Sequence, residues 1–197
     1  MLHELIVVDG EPTPSVAYFG GNSFLPKSLS WPVDSSGIPL LHVATLPREF
    51  LCKYVSELHV NSDLVVSIFC PYSLTDDEYI ERAMTDGGVA LAYRPSNIAE
   101  DRHGSSIFPP KLIHVVQNSA DDSEENGAAK IAGVPAWMQD EEARGEMIYV
   151  LQLNNSRLNK AAPSHKSILA GGVGYLLLKR ELGQEDADAG VFIIQTS

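Results

Sequence analysis

Cysteine is almost absent from this chain: Cys52 and Cys70 are the two in 197 residues. Two thiols make no disulfide framework, so the fold has to be held by its core. Long apolar runs are missing as well, and no stretch approaches the ~18 apolar residues that a membrane-spanning helix needs. The opening segment MLHELIVVDGEP carries an apolar run of only four residues, Leu5 to Val8, with no basic segment before it. It reads as a strand or a helix end rather than a secretory signal, and a reducing cytoplasm is the expected compartment. Cations are scarce: 14 Lys and Arg against 26 Asp and Glu leave a net charge of −12. Duplexes and anionic lipid repel such a body, so no nucleic-acid and no membrane partner is expected. Acidity keeps a protein soluble, and it also suits a basic protein partner, because complementary fields speed encounter.

Reaction motifs are missing too. The nucleophile pattern G-x-S-x-G does not occur, and Ser23, after Gly20, Gly21 and Asn22, has no partner pattern. Cys52 and Cys70 would need a neighbouring histidine to act as nucleophiles. Their apolar surroundings favour inert thiols. His3, His42, His59, His103, His114 and His165 never fall at H-x-x-x-H spacing or beside a cysteine pair, so no metal site is expected. His42 and His114 lie within strand candidates and read as structural. Gly171, Gly172 and Gly174 precede a strand, whereas a phosphate-cradling loop needs a helix behind it. No catalytic, cofactor-binding or metal-binding residue is assigned, and a non-enzymatic protein is expected.

Acids, by contrast, are abundant and clustered. Asp76, Asp77 and Glu78 form one group, Asp121, Asp122, Glu124 and Glu125 a second, and Asp140, Glu141 and Glu142 a third; Glu185 and Asp186 are a smaller pair. A paired-carboxylate hydrolase would need two of them facing each other across a cleft, which spacing alone does not show. The first group suits the start of a helix, where negative charge is favourable. The others read as solvated loops. All three larger groups are candidate contacts for a basic partner.

The chain holds 15 Gly and 12 Pro, a composition for many turns and short strands. Residues 38–46 read as a strand with Pro39 near its start, and residues 47–58 (PREFLCKYVSEL) as a short helix opened by Pro47. DLVVSIFC (63–70) is a buried strand. TDDEYIERAM (75–84) is a helix with Thr75 as cap and Glu78 completing a capping box. DGGVALAY (86–93) is a turn and strand, and residues 112–117 another strand. Residues 119–130 carry four acids and no large apolar side chain, and read as a mobile loop. NNSRLNKAAPSHKS (154–167) reads as polar loop, and GGVGYLLLKREL (171–182) as a glycine turn into a strand. A chain of this mass should keep roughly 9,000 Å² of surface and hide about 70% of what it exposes unfolded.

The phrase DGGVALAY has an echo in DAGVFIIQ (188–195). Gly21 and Gly133, Trp31 and Trp137, Gly37 and Gly145, and the strands opening at Leu64 and Val173 recur in the same order, at offsets of 102 to 112 residues. We read this as an internal duplication. An Asp before Gly can bond its own backbone, and Gly supplies positive φ before the strand. Each half alone would be a marginal sheet. The expectation is therefore one α+β domain over 1–197, mostly antiparallel β with a few short helices. Its halves would be 19–97 and 131–197, joined by 98–130, with the two tryptophans in core or inter-half packing.

The segment GGNSFLPKSLSWPVDSSGIPLLHVATL, together with GVPAWMQ (133–139), LQL (151–153) and the D-A-G-V strand at 188, resembles the YwqG-like family, a bacterial domain of unknown function. The resemblance covers most of 18–197, and GVPAWMQ with LQL carries its most specific part. Ala132 and Ala44 depart from it, where a Gly and a Gln are usual. It implies a fold built on turn and core residues more than an activity. Members of such families can serve as immunity proteins that block a toxin. The leading functional expectation is a protein-binding module of that kind. The alternatives are an enzyme or small-molecule binder with its site between the halves, and a housekeeping module.

Overall fold

The computed structural model describes residues 1–102, 106–142 and 145–196; His103 lies outside them. Its surface of 9148 Å² matches the size expected for a compact body of this mass. The strands are β1 (Leu2–Asp9), β2 (Tyr18–Phe19), β3 (Leu41–Pro47), β4 (His59–Val60), β5 (Val65–Cys70), β6 (Gly88–Tyr93), β7 (Lys111–Asn118), β8 (Lys130–Ile131), β9 (Ile148–Asn154), β10 (Val173–Leu178), β11 (Glu181–Leu182) and β12 (Asp186–Gln195). The helices are α1 (Arg48–Tyr54), α2 (Tyr79–Thr85) and α3 (Asn155–Ala161).

Ten strands close a barrel in the order β1-β7-β2-β3-β5-β6-β12-β10-β9-β8, and β8 returns to β1 through Glu4 opposite Lys130. Every neighbouring pair round the wall is antiparallel. The remaining two, β4 and β11, form a short parallel pair.

This corrects the α+β expectation. Among the described residues, the three helices have seven residues each and form no layer. Helices so short hold few hydrogen bonds of their own and depend on packing. The expected pair of stacked halves is also overturned. β7, inside the expected linker 98–130, stands between β1 and β2, and β1, before the first expected half, stands between β7 and β8. The two halves as drawn lack these strands and could not close; wall closure, which removes free sheet edges, takes their place. An internal duplication is not shown. The echoed phrases do meet: Val89 faces Val191 and Gly88 faces Phe192 across the β6–β12 pair. Only the first is a turn, with Gly87 at φ 69°, whereas Asp188 already lies within β12.

Side chains alternate across the wall. Val66, Ile68 and Cys70 of β5, Ala90 and Ala92 of β6, Leu176 and Leu178 of β10, and Phe192 and Ile194 of β12 belong to the main core. The intervening residues face outward but are covered as well. Val65, Phe69, Leu91 and Tyr93 pack with Leu25, Trp31 and Leu40. Val173, Tyr175, Leu177 and Ile193 pack with Trp137, Met147 and Tyr149. Burial on both faces is why these strands read as continuous apolar runs. Each tryptophan therefore lies outside the wall, in its own cluster.

Inside, Phe192 lies so close to Gly174 that a Cβ there would come within 2.2 Å of the ring. Among the described residues, Leu, Val, Ile and Phe side chains fill much of the interior. β3 and β9 run in opposite directions, five antiparallel steps apart. Helices α1 and α3, which follow them, therefore sit at opposite ends, and Leu51 and Leu158 join the core. α2, between β5 and β6, shares the end of α3. Among the described residues no helix is long and apolar enough to cross a membrane.

Candidate functional site

The acidic groups are placed very differently. Helix α2 starts at Tyr79, four residues later than its Thr75 cap candidate. Pro71 stops β5, and Ser73 Oγ accepts the N–H groups of Thr75 and Asp76, holding residues 73–76 in a turn. Asp76 Oδ1 then accepts the Glu78 N–H at 2.8 Å and closes the turn before the helix; Glu78, not Thr75, is the N-cap residue, and no side chain caps the first turn. Tyr79 anchors the helix: it is buried, its hydroxyl donates to Ser167 O at 2.8 Å, and its ring meets Tyr72 edge-on at 5.0 Å. Burial pushes both phenols up, Tyr72 to about 12.

Arg82 organises this cluster from beneath. Its guanidinium lies 3.0 Å from Asp34, whose side chain is almost fully buried, and 3.9 and 3.8 Å from Asp76 and Glu78. One cation thus holds three carboxylates, and the outward faces of Asp76, Asp77 and Glu78 remain exposed. Glu81 and Asp86 extend the same sign along the helix, and Asp86 Oδ2 accepts the Ser35 hydroxyl at 2.5 Å. Leu74 and Met84 are exposed beside these acids at 64% and 46%.

The third group reaches the other end of α2. Gln195 accepts the Met138 and Gln139 N–H groups and donates to Asp140 O, which fixes residues 138–140 against the end of β12. Thr196 contacts Met84 sulfur at 3.6 Å. Glu142 shares a cleft of about 140 Å³ with Met84, Asp86 and Val191. A more open cleft of about 430 Å³ is lined by Gln139, Asp140, Glu141, Glu142 and Gln195. The first and third groups therefore bracket α2.

The second group lies elsewhere, over β8 and β9, and it is not the mobile loop expected. Asp122 Oδ1 accepts from Lys130 Nζ at 2.8 Å, and the lysine side chain is fully buried. Asp122 Oδ2 accepts the Val134 N–H, and Gln152 Nε2 donates to Ala128 O. Asp122 is thus a structural counter-ion, while Asp121, Glu124 and Glu125 are exposed. Of the smaller pair, Asp186 pairs with Lys179 at 2.9 Å, and Glu185 accepts the Arg94 N–H.

Outside the wall near β3 lies a buried polar chain. His42 Nδ1 contacts Gly21 O at 3.2 Å and its Nε2 contacts Thr45 Oγ at 2.9 Å. From Thr45 the chain runs to Ser67 Oγ (2.6 Å), Tyr93 OH (2.6 Å) and Ser23 Oγ (3.1 Å), which accepts the Leu25 N–H. Burial pulls the His42 pKa down to about 4. Ser23 is buried and three hydroxyls away from the imidazole, so the pair is no nucleophile and base in contact. Cys70 is buried, its thiol pushed up to about 12 by burial, and Cys52 Sγ donates to Leu58 O. His114 is exposed on β7 rather than packed. Among the described residues, no three His, Cys, Asp or Glu side chains gather to hold a metal ion.

Sequence reading missed Arg82, Asp34, Leu74 and Met84. The Glu78–Arg82 spacing of four was a usable signal for Arg82; nothing local linked Asp34 to it. No family model matches the chain, and no curated protein is significantly similar to it.

Proposed function

We propose that the chain is a non-enzymatic binding protein that receives a basic protein partner on the face around α2. The observation that carries this reading is the bracketing of α2 by Asp76, Asp77 and Glu78 at one end and Asp140, Glu141 and Glu142 at the other, with Leu74 exposed two residues before Asp76 and Met84 exposed in the cleft it shares with Glu142. Charge of one sign steers a cationic protein and orients it. Exposed apolar side chains supply the buried contact that holds a complex once formed. Among such roles the reading favours a cytoplasmic immunity protein that occludes a cationic toxin or secreted effector, with a fold of the YwqG-like kind.

The test is affinity capture from native lysate, then titration of the purified captured protein against three forms of the chain. The expected partner is a small protein of net positive charge. Replacing Asp76, Asp77 and Glu78 by lysine should weaken it at least tenfold, with a steep salt dependence, whereas Glu124→Lys with Glu125→Lys should leave it within about twofold. An acidic or neutral partner, or equal loss from both sets, overturns the proposal.

A further inference from the structure

Residues 20–40 form a flap across the outer face of β3, β5 and β6, covering Phe69, Leu91 and Tyr93 with Leu25, Trp31 and Leu40. It is held by a directed chain of protons. The Gly21 carbonyl can only accept, so the His42 Nδ1 that meets it carries a hydrogen. A neutral imidazole has one hydrogen, so Nε2 accepts and Thr45 donates. Thr45 then accepts from Ser67, Ser67 from Tyr93, and Tyr93 from Ser23, whose oxygen receives the Leu25 N–H. Every hydroxyl donates once, and both ends of the chain lie on the flap.

A proton added at Nε2 turns that nitrogen from acceptor to donor. The five links from Nε2 to the Leu25 N–H are filled by four hydroxyl hydrogens and that N–H; with Nε2–H there are six hydrogens for five links, and one buried hydroxyl hydrogen is left with no acceptor in the chain. We propose that the flap is a proton-sensitive latch: uptake of one proton by His42 releases residues 20–40 from the barrel and bares the surface under Trp31. The groups around the imidazole offer that proton no counter-charge. Tyr18 faces it at 5.7 Å and Phe69 at 5.4 Å between ring centres, and Thr45, Ser67 and Tyr93 are neutral. Arg102, bonded to Leu25 O and Leu29 O, is a further cation of the flap. Asp101 bonds Ser106, which bonds Asn22, and Glu100 pairs with Lys27; both carboxylates are engaged at the rim. Farther along the flap, Asp34 faces Arg82. Burial, which holds His42 well below its ordinary range, acts in the same direction.

Amide hydrogen exchange on the intact protein, corrected for intrinsic pH dependence, tests this. Protection at Leu25 and Leu40 should fall roughly fiftyfold between pH 7.5 and 4.5, as an opened His42 takes up its proton. Protection at Tyr175 and Ile193 should change less than threefold. His42→Gln, which keeps one donor and one acceptor without titrating, should abolish the pH effect at Leu25 and Leu40. An equal fall in the variant, or an equal fall across β10 and β12, overturns the latch. Should the variant not fold, nitrogen NMR of wild-type His42 decides. A hydrogen on Nδ1 at neutral pH supports the proposal, and titration in the closed state near 6.5 with full flap protection overturns it.

Discussion

At the scale of single residues, the decisive distinctions are between side chains of the same type. Asp122 and Asp121 are neighbours in sequence, yet the first neutralises the fully buried Lys130 and the second faces solvent. Asp122→Ala should therefore cost about 3–5 kcal/mol in urea unfolding, because it strands a buried ammonium, while Asp121→Ala should cost under about 0.5. Replacing both partners, Asp122→Leu with Lys130→Met, should recover most of the loss, since no charge then remains buried. His42 makes a complementary case. Its folded pKa of about 4 lies below the ordinary 6.5, so the unfolded chain takes the proton first. Its contribution to stability is complete above pH 6.5 and is lost as pH falls toward 4, by about 3 kcal/mol. The part of the acid destabilisation that disappears in His42→Gln measures it. Composition and the sign of charge announced neither role: a sequence shows that acids cluster, and only the fold shows which one turns inward.

At the scale of elements, the apolar runs at 64–70 and 173–178 were legible as strands because they are buried on both faces, and the glycine turn before β6 was legible from Asp86 and Gly87. Helix α3 was not. Its exposed face is polar, and its buried side carries polar Asn155 beside Leu158 and Ala161, too little apolar surface for a periodic signal. The overlooked cue was Asn154, whose side chain accepts the Arg157 N–H at 2.8 Å as an N-cap. Asn154→Ala should cost about 1 kcal/mol by thermal or urea unfolding. Leu51→Ala, which empties a fully buried site on α1, should cost about 2–5 kcal/mol. The candidate face is legible in the same uneven way. Asp76–Glu78 and Asp140–Glu142 stood out as clusters, but 62 residues separate Glu78 from Asp140 and only the β6–β12 pairing brings them to one helix.

At the scale of the whole molecule, closure of the wall was the property least visible in advance. Register between distant strands is set by long-range pairing, and two-sided burial erases the alternation that would have named an inner face. The wall is also uneven. β1 meets β7 along eight residue pairs but meets β8 at Glu4 opposite Lys130, with Leu5 N–H reaching Ala129 O at 2.8 Å. The Arg157–Glu4 ion pair staples this seam from α3. Amide exchange at Leu5 should be faster than at Ile68 or Leu176, and Arg157→Ala should speed Leu5 several-fold further while leaving those two unchanged. Equal exchange at all three would mean that the barrel opens elsewhere.

The interleaving of β1 with β7 and β8 has a consequence for synthesis. A ribosome delivers residues 2–9 before either of their neighbours, both of which lie beyond residue 110. Until Lys111 and the residues after it are made, β1 has neither neighbour to dock on, and a nascent polypeptide arrested before Lys111 would carry Leu5 and Val7 bare to whatever chaperone or aggregate meets them first.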